Sequence, residues 1–262
     1  MNMVQAAILG LVEGLSEFLP ISSTAHLIIA SALLKIPSSD FLKTFEISIQ
    51  LGAILAAFLL YWKKFIKSPK IISRVAVAFL VTSFIGLIFY KLVKDYLMDS
   101  YPLIAASLFL GGLFIIAFER YHAKKAAAKK EINLEEMSLK QAATIGACQA
   151  VAIVPGVSRS AATIIGGLAF NIKREEIVEF SFLLAIPTMA AATFLDVYKS
   201  RLLIAALSGN DWLAWLIGFV VSFITAIIGA KFLIHYIQKN DFQYFGWYRI
   251  IIALLISFWI IA

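Results

Sequence analysis

Val12-Glu13-Gly14-Leu15-Ser16-Glu17-Phe18-Leu19-Pro20-Ile21-Ser22-Ser23-Thr24-Ala25-His26-Leu27-Ile28 sets two carboxylates, several serines, a threonine and a histidine inside an otherwise apolar run. Such groups are costly in a membrane segment, so each needs a partner, water or a ligand. Read as a helix up to Leu19, the stretch puts Glu13 and Glu17 one turn apart on one face, where their charges repel unless a cation or a shared proton lies between them. Pro20 stops that helix. Ser22 and Ser23 are then candidate N-caps of a second helix, with His26 one turn along it on the serines' face. An anion-attracting helix start, a candidate nucleophile, a candidate proton carrier and a carboxylate pair thus fall within about fifteen residues.

The rest of the chain says what kind of protein carries this stretch. At 262 residues and 61% hydrophobic composition it reads as a polytopic membrane protein. The net charge of +7 comes from short basic clusters between apolar spans, which are topology signals, and no nucleic-acid partner is expected. Cys148 is the only cysteine, which excludes an intramolecular disulfide and a thiol metal cluster and fits a small buried hydrophobe. No cleavable leader is expected, because the first apolar run begins near Met1 without a basic lead and contains Glu13 and Glu17.

Residues 1–34 fit a helix, a break and a second helix, and broken backbone at membrane depth must line a cavity or be buried in protein. Full spans are expected at about 45–62, 75–93, 102–119, 177–197, 211–236 and 247–262. Tyr61, Trp62, Tyr90 and Trp247 read as interface anchors, and Asp95, Asp99 and Pro102 as a short turn. Residues 120–140, with Arg120, Lys124, Lys125, Lys129, Lys130 and Lys140 among three glutamates, read as a solvated loop. Beyond it the pattern restarts: a small-residue apolar run, a break at Pro155-Gly156, and a short helix from Ser158-Arg159-Ser160. Ser22-Ser23-Thr24-Ala25 answers Ser158-Arg159-Ser160-Ala161, and Glu46-Ile47-Ser48 answers Glu179-Phe180-Ser181, at offsets of 136 and 133 residues.

The expected fold is therefore an all-α polytopic membrane protein. One membrane domain holds two repeats, about 1–119 and 141–236, joined by the polar loop 120–140 and followed by a final span at 247–262. If each broken segment is re-entrant, the loops at 63–74, 120–140, 171–176 and 237–249 share one side and carry fifteen Lys and Arg. The other side has six: Lys35, Lys43, Lys91, Lys94, Lys199 and Arg201. The basic side is then cytoplasmic, and the repeats are inverted with both breaks meeting near the midplane.

Arg159 carries the most information among the basic residues, since a guanidinium in a membrane segment must be paired or wet. Beside two helix starts it reads as a phosphate site, and an ion pair to Glu13 or Glu17 is compatible with that reading. Ser22 and Thr24 at the first start, and Ser158, Ser160 and Thr163 at the second, are candidate phosphate-binding hydroxyls; the last three serve equally as helix caps. Glu13 and Glu17 suit a divalent cation, Mg²⁺ or Ca²⁺, or a shared proton. Glu46, Gln50 and Gln149 are candidate supports for the carboxylates or the arginine, or simple interhelical hydrogen bonds.

Glu13-Gly14-Leu15-Ser16-Glu17-Phe18-Leu19-Pro20-Ile21-Ser22-Ser23-Thr24, Phe45-Glu46 with Ile49-Gln50-Leu51-Gly52-Ala53, Pro155-Gly156-Val157-Ser158-Arg159-Ser160 and the late Phe180-Ser181-Phe182-Leu183-Leu184-Ala185-Ile186-Pro187 resemble the undecaprenyl-diphosphate phosphatase family linked to bacitracin resistance. The resemblance spans essentially the whole chain. It implies a bacterial inner-membrane hydrolase that turns a polyprenyl diphosphate lipid into its monophosphate and so recycles the lipid carrier of cell-wall synthesis. It also implies re-entrant helices, a site open to the outer face and dependence on a divalent cation; a homodimer is left open. Glu13 and Glu17 match the family's acidic motif, Ser22, Ser23 and His26 its serine and histidine positions, and Ser158, Arg159 and Thr163 its arginine loop. Ala25 and Ala161 stand where that family usually has glycine, so a narrower approach of backbone to phosphate is expected.

On that basis Ser23 is expected to attack the terminal phosphorus with His26 as base, or His26 to attack directly. Arg159 and the helix starts hold the phosphoryl group, and Glu13 and Glu17 hold a cation or handle protons. A transporter or flippase of lipid phosphate, using the same anion site, is the alternative.

Overall fold

A computed structural model describes residues 1–96, 100–126 and 130–261, with side chains omitted at 65–67, 90–96, 125–126 and 259–261. Asp99 and Lys129 lie outside the described residues, as do the side chains of Tyr90, Lys91, Lys94, Asp95 and Lys125. Helices dominate, and the one pairing of extended backbone is a bridge between Ile132 and Ile172.

The chain begins with a short helix, α1 (Met3–Ser16), a non-helical turn at 17–22, and a second short helix, α2 (Ser23–Leu33). Three long helices follow: α3 (Asp40–Lys67), α4 (Pro69–Tyr96) and α5 (Tyr101–Ala126). The second half repeats the opening with α6 (Leu139–Ala150), a 3₁₀ turn (Val151–Ile153) and α7 (Arg159–Leu168). It then runs through α8 (Arg174–Lys199), the single turn and a half of α9 (Arg201–Ala205), α10 (Gly209–Ile237) and α11 (Gln243–Ile261).

Local chemistry explains why the halves open alike. Asn2 accepts from Gln5 N at 2.8 Å while Gln5 Oε1 accepts from Asn2 N at 2.9 Å, a reciprocal cap that starts α1. Ser138 and Gln141, each 136 residues later, start α6 in the same way at 3.2 and 2.7 Å. Ser22 and Ser158 then both sit at φ +74°, a left-handed conformation that turns the chain sharply into α2 and α7.

Packing pairs the halves crosswise. The glycine face of α1 lies against α10, where a Cβ on Gly10 would stand 2.4 Å from the Gly218 carbonyl oxygen. The equivalent face of α6 lies against α4, where a Cβ on Gly146 would stand 2.3 Å from the Ala78 carbonyl oxygen. Small residues let these backbones touch, the usual way helices associate in lipid. The central contacts are α5 with α11 and α3 with α8.

Exposure identifies the solvent. On α4, Leu80, Phe84 and Leu87 all point outward, and on α10 Leu216, Ile224 and Ile228 do so, while Gly218, Ser222, Thr225 and Gly229 face inward. An outside more apolar than the inside is the pattern of a protein dissolved in lipid. Among the described residues, five helices are long and apolar enough to cross a membrane: α3, α4, α5, α8 and α10. The sixth expected span coincides with α11, which ranks with α1 and α2 as a shorter apolar helix.

Two expectations about loops are corrected. The 120–140 stretch is not wholly solvated: α5 extends to Ala126, and Leu134 and Met137 are fully buried because the loop docks beside Ile172. Arg249 is not a loop charge. It lies inside α11 and is completely buried.

Candidate active site at the two helix breaks

The turn at 17–22 and the turn at 154–158 meet through one carboxylate. Glu17 Oε2 accepts a 2.5 Å hydrogen bond from Ser23 Oγ, and Glu17 Oε1 accepts from Arg159 Nη2 at 3.2 Å. Arg159 also donates through Nη1 to the Ser181 carbonyl at 2.9 Å, while its buried Nε has no partner. Hydroxyl, carboxylate and guanidinium are thus in line, with guanidinium donors left over for a further oxyanion.

One turn back, Glu13 is fully buried and neither of its carboxylate oxygens has a partner. A bare carboxylate is not stable there, so the site wants a proton or a cation beside it. A divalent cation fits this donor set. Among the described residues no group of three or more His, Cys, Asp or Glu gathers, so such an ion would take two carboxylates and complete its shell with substrate oxygens and water, as Mg²⁺ readily does.

Ser22 makes no side-chain cap, which leaves the first N–H groups of α2 uncapped by it. Thr24, Ser31, Glu46, Gln50 and Tyr101 line a cavity of about 400 Å³ beside this start, and Ser31 Oγ donates to Glu46 Oε1 at 2.6 Å. Glu46 and Gln50 therefore border the approach to the site.

The second break is occupied differently. Ser158 Oγ accepts from Ala161 N at 3.3 Å and lies 3.1 Å from Ser160 Oγ, which donates to the Leu19 carbonyl at 2.8 Å. Thr163 Oγ1 lies between Gln149 Oε1 at 3.1 Å and the Arg159 carbonyl at 3.0 Å, and Gln149 Nε2 reaches Thr82 and Thr188. Of the two uses expected for Ser158, Ser160 and Thr163, the structure shows capping and bracing. Gln149 supports the arginine's helix rather than the carboxylates.

The expected Ser23–His26 pair is a correction. His26 Nδ1 is 2.8 Å from the Ser22 carbonyl and so carries the hydrogen, leaving Nε2 to accept from Tyr248 Oη at 2.8 Å. The rings of His26 and Tyr248 lie nearly parallel, 5.6 Å apart. The left-handed turn at Ser22 swings Ser23 back toward Glu17, which helical spacing alone did not reveal.

The comparisons with known proteins agree with this geometry. Residues 6–255 match the model of the family described as bacitracin resistance protein BacA. The chain belongs to that family. An undecaprenyl-diphosphatase of Aquifex aeolicus is 45% identical over 96% of both chains. Others so named, from Sulfurihydrogenibium sp. and Wolinella succinogenes, are 45% and 44% identical, each over 99% of this chain and at least 99% of their own.

Within this BacA-family chain two further corrections concern residues that sequence reasoning misjudged. Ala25 packs among Ile104, Leu108 and Ile256, and Ala161 against Phe18 and Ile164 in the main core, so their methyl groups fill apolar contacts instead of narrowing a phosphate approach. Arg249 and Tyr248 were passed over as flanking residues of a last span. Arg249 donates all five of its N–H bonds to main-chain carbonyls, and Tyr248 holds His26. The available hint was Gly111-Gly112 facing Gly246, which lets α5 and α11 close on the arginine.

Proposed function

We propose that this protein is an undecaprenyl-diphosphatase of the bacterial inner membrane, releasing phosphate from undecaprenyl diphosphate to leave the monophosphate. The observation that carries this reading is the Ser23–Glu17–Arg159 chain of contacts, a hydroxyl, a base and an anion-binding group on two facing breaks. Hydrolase names on relatives matched along nearly their whole length support it, and the transport alternative draws no support from them.

In this mechanism Glu17 replaces His26 as the partner of the nucleophile. Ser23 Oγ attacks the terminal phosphorus, its proton passes to Glu17, and the bond from phosphorus to the bridging oxygen breaks, releasing the lipid monophosphate. Water then hydrolyses the phosphoserine to inorganic phosphate. Arg159 Nε and the uncapped N–H groups of α2 hold the transferring phosphoryl oxygens as charge develops on them. Glu13 and Glu17 would hold a divalent cation, Mg²⁺ or Ca²⁺, whose charge offsets that of the diphosphate beside two carboxylates.

The two halves form inverted repeats whose α1–α2 and α6–α7 segments are re-entrant. The crosswise packing of α1 on α10 and α6 on α4 supports this, and makes α11 the counterpart of α5, inside the second repeat. Without Arg249 the basic loops still hold fourteen Lys and Arg against six, which supports a cytoplasmic loop face and a site open to the outside. The prenyl tail stays in lipid.

Detergent-purified protein is expected to release phosphate from undecaprenyl diphosphate, to stop when chelated, and to resume with Mg²⁺ or Ca²⁺. Arg159→Ala and Glu17→Gln should abolish release without loss of the folded state. Failure of well-folded wild type to release phosphate under any of these ions would remove the hydrolase reading.

A further inference from the structure

Arg249 is the largest fully buried side chain of the protein, and no carboxylate pairs with it among the described residues. Nη1 donates to the carbonyls of Pro20 at 3.3 Å and Val157 at 2.9 Å. Nη2 donates to those of Gly156 at 2.8 Å and Ser107 at 3.1 Å, and Nε to that of Leu108 at 3.4 Å. A guanidinium has five N–H donors, so none remains for a substrate oxygen. This arginine does not bind phosphate.

Its acceptors explain why a charge is kept there at all. An apolar side chain of similar volume fills a core more cheaply than an unpaired cation. But Pro20, Gly156 and Val157 lie where the helices break, and their carbonyls have neither a helical N–H nor water to satisfy them. Pro20 and Gly156 are 136 residues apart, the spacing of the repeat, and each precedes by two the left-handed serine that opens the next helix. One planar group therefore grips the same carbonyl in both breaks and ties the pair to α5.

We propose that Arg249 is a positioning residue, a clamp that holds the two helix breaks in register so that Glu17 of the first meets Arg159 of the second. Glu17 reaches Arg159 only while the breaks face each other, and the 3.2 Å contact leaves little tolerance for slippage. Gly111 is part of the device: a Cβ there would stand 2.1 Å from Arg249 Nη2 and displace the guanidinium without removing its charge.

The kinetic side of this inference rests on the hydrolysis proposed above; the geometric side does not. Nitroxide labels at Leu15→Cys and Val151→Cys, in a Cys148→Ser background, report the distance between the breaks from two exposed sites. One narrow distance distribution is expected with Arg249 intact. Arg249→Lys, with three donors for five carbonyls, and Gly111→Ala should each broaden or shift it. In unlabelled protein both should lower kcat about 10²-fold while KM stays within about threefold, the signature of misplaced groups rather than lost binding. An unchanged distribution in both variants overturns the clamp. So does full kcat in a variant whose distribution has moved, because an arginine that only fills the core would leave turnover of the folded fraction intact. If wild type releases no phosphate, the proposed reaction fails, and the label distances still decide whether Arg249 holds the breaks.

Discussion

The two helix breaks share a backbone and differ in what their side chains are free to do. Both turn at a serine with φ +74°, both follow a helix opened by a reciprocal cap, and both give a carbonyl to Arg249. In the first, Ser22 caps nothing and Ser23 points at Glu17; in the second, Ser158 caps α7 and Ser160 reaches across to Leu19. A repeated fold has thus been divided into a reacting half and a supporting half, and Arg159 is the one group the supporting half sends into the chemistry.

Equivalent substitutions in the two breaks test that division most severely. Ser23→Ala should reduce phosphate release by at least ~10³-fold, because it removes the proposed nucleophile. Ser158→Ala, at the position that answers Ser22, should cost about 1 kcal/mol of stability through the lost cap and leave turnover within about fivefold. Single-turnover phosphate release beside thermal unfolding separates the two, and equal loss of turnover would mean that the second break also reacts. Next in size, Arg159→Lys should lower kcat by about 10²-fold or more: an ammonium keeps the charge but cannot pair Glu17, hold the Ser181 carbonyl and offer further donors in one plane.

How much of this was readable beforehand follows from what local sequence encodes. Glu13, Glu17 and Arg159 stood out because ionisable groups in apolar runs demand an explanation, and Pro20 and Pro155-Gly156 marked the breaks. The repeat was visible in residue spacing. Partnerships across the fold were not: His26 and Tyr248 are 222 residues apart, and Ser23 finds Glu17 only because the chain reverses at Ser22. Arg249 was missed for a different reason. Trp247-Tyr248-Arg249 has the same look as Tyr61-Trp62-Lys63-Lys64, aromatic residues beside positive charge at a span end, yet one arginine folds inward and the lysines stay at the surface or near it. Composition at a span end does not say which way a charge points; close-packed glycines on the neighbouring helix do.

Ser160→Ala sharpens the comparison at a smaller scale. Its hydroxyl is the thread from the second break to the Leu19 carbonyl of the first, so its loss should destabilise the protein by about 1 kcal/mol and lower turnover by less than about tenfold. A loss as large as that of Ser23→Ala would make Ser160 part of the reaction.

The smallest effect is expected at Ala25 and Ala161, which again answer each other across the repeat. If their methyl groups crowded the phosphate, replacement by glycine would speed turnover. Both alanines instead lie inside helices with their methyl groups in apolar clusters, away from the uncapped start of α2. Ala25→Gly and Ala161→Gly should therefore each lower thermal stability by about 1 kcal/mol, the ordinary price of glycine in a helix interior, with kcat and KM unchanged. Faster turnover in either variant would show that the helix start, and not only the side chains of Glu17, Ser23 and Arg159, limits how closely the phosphate can approach.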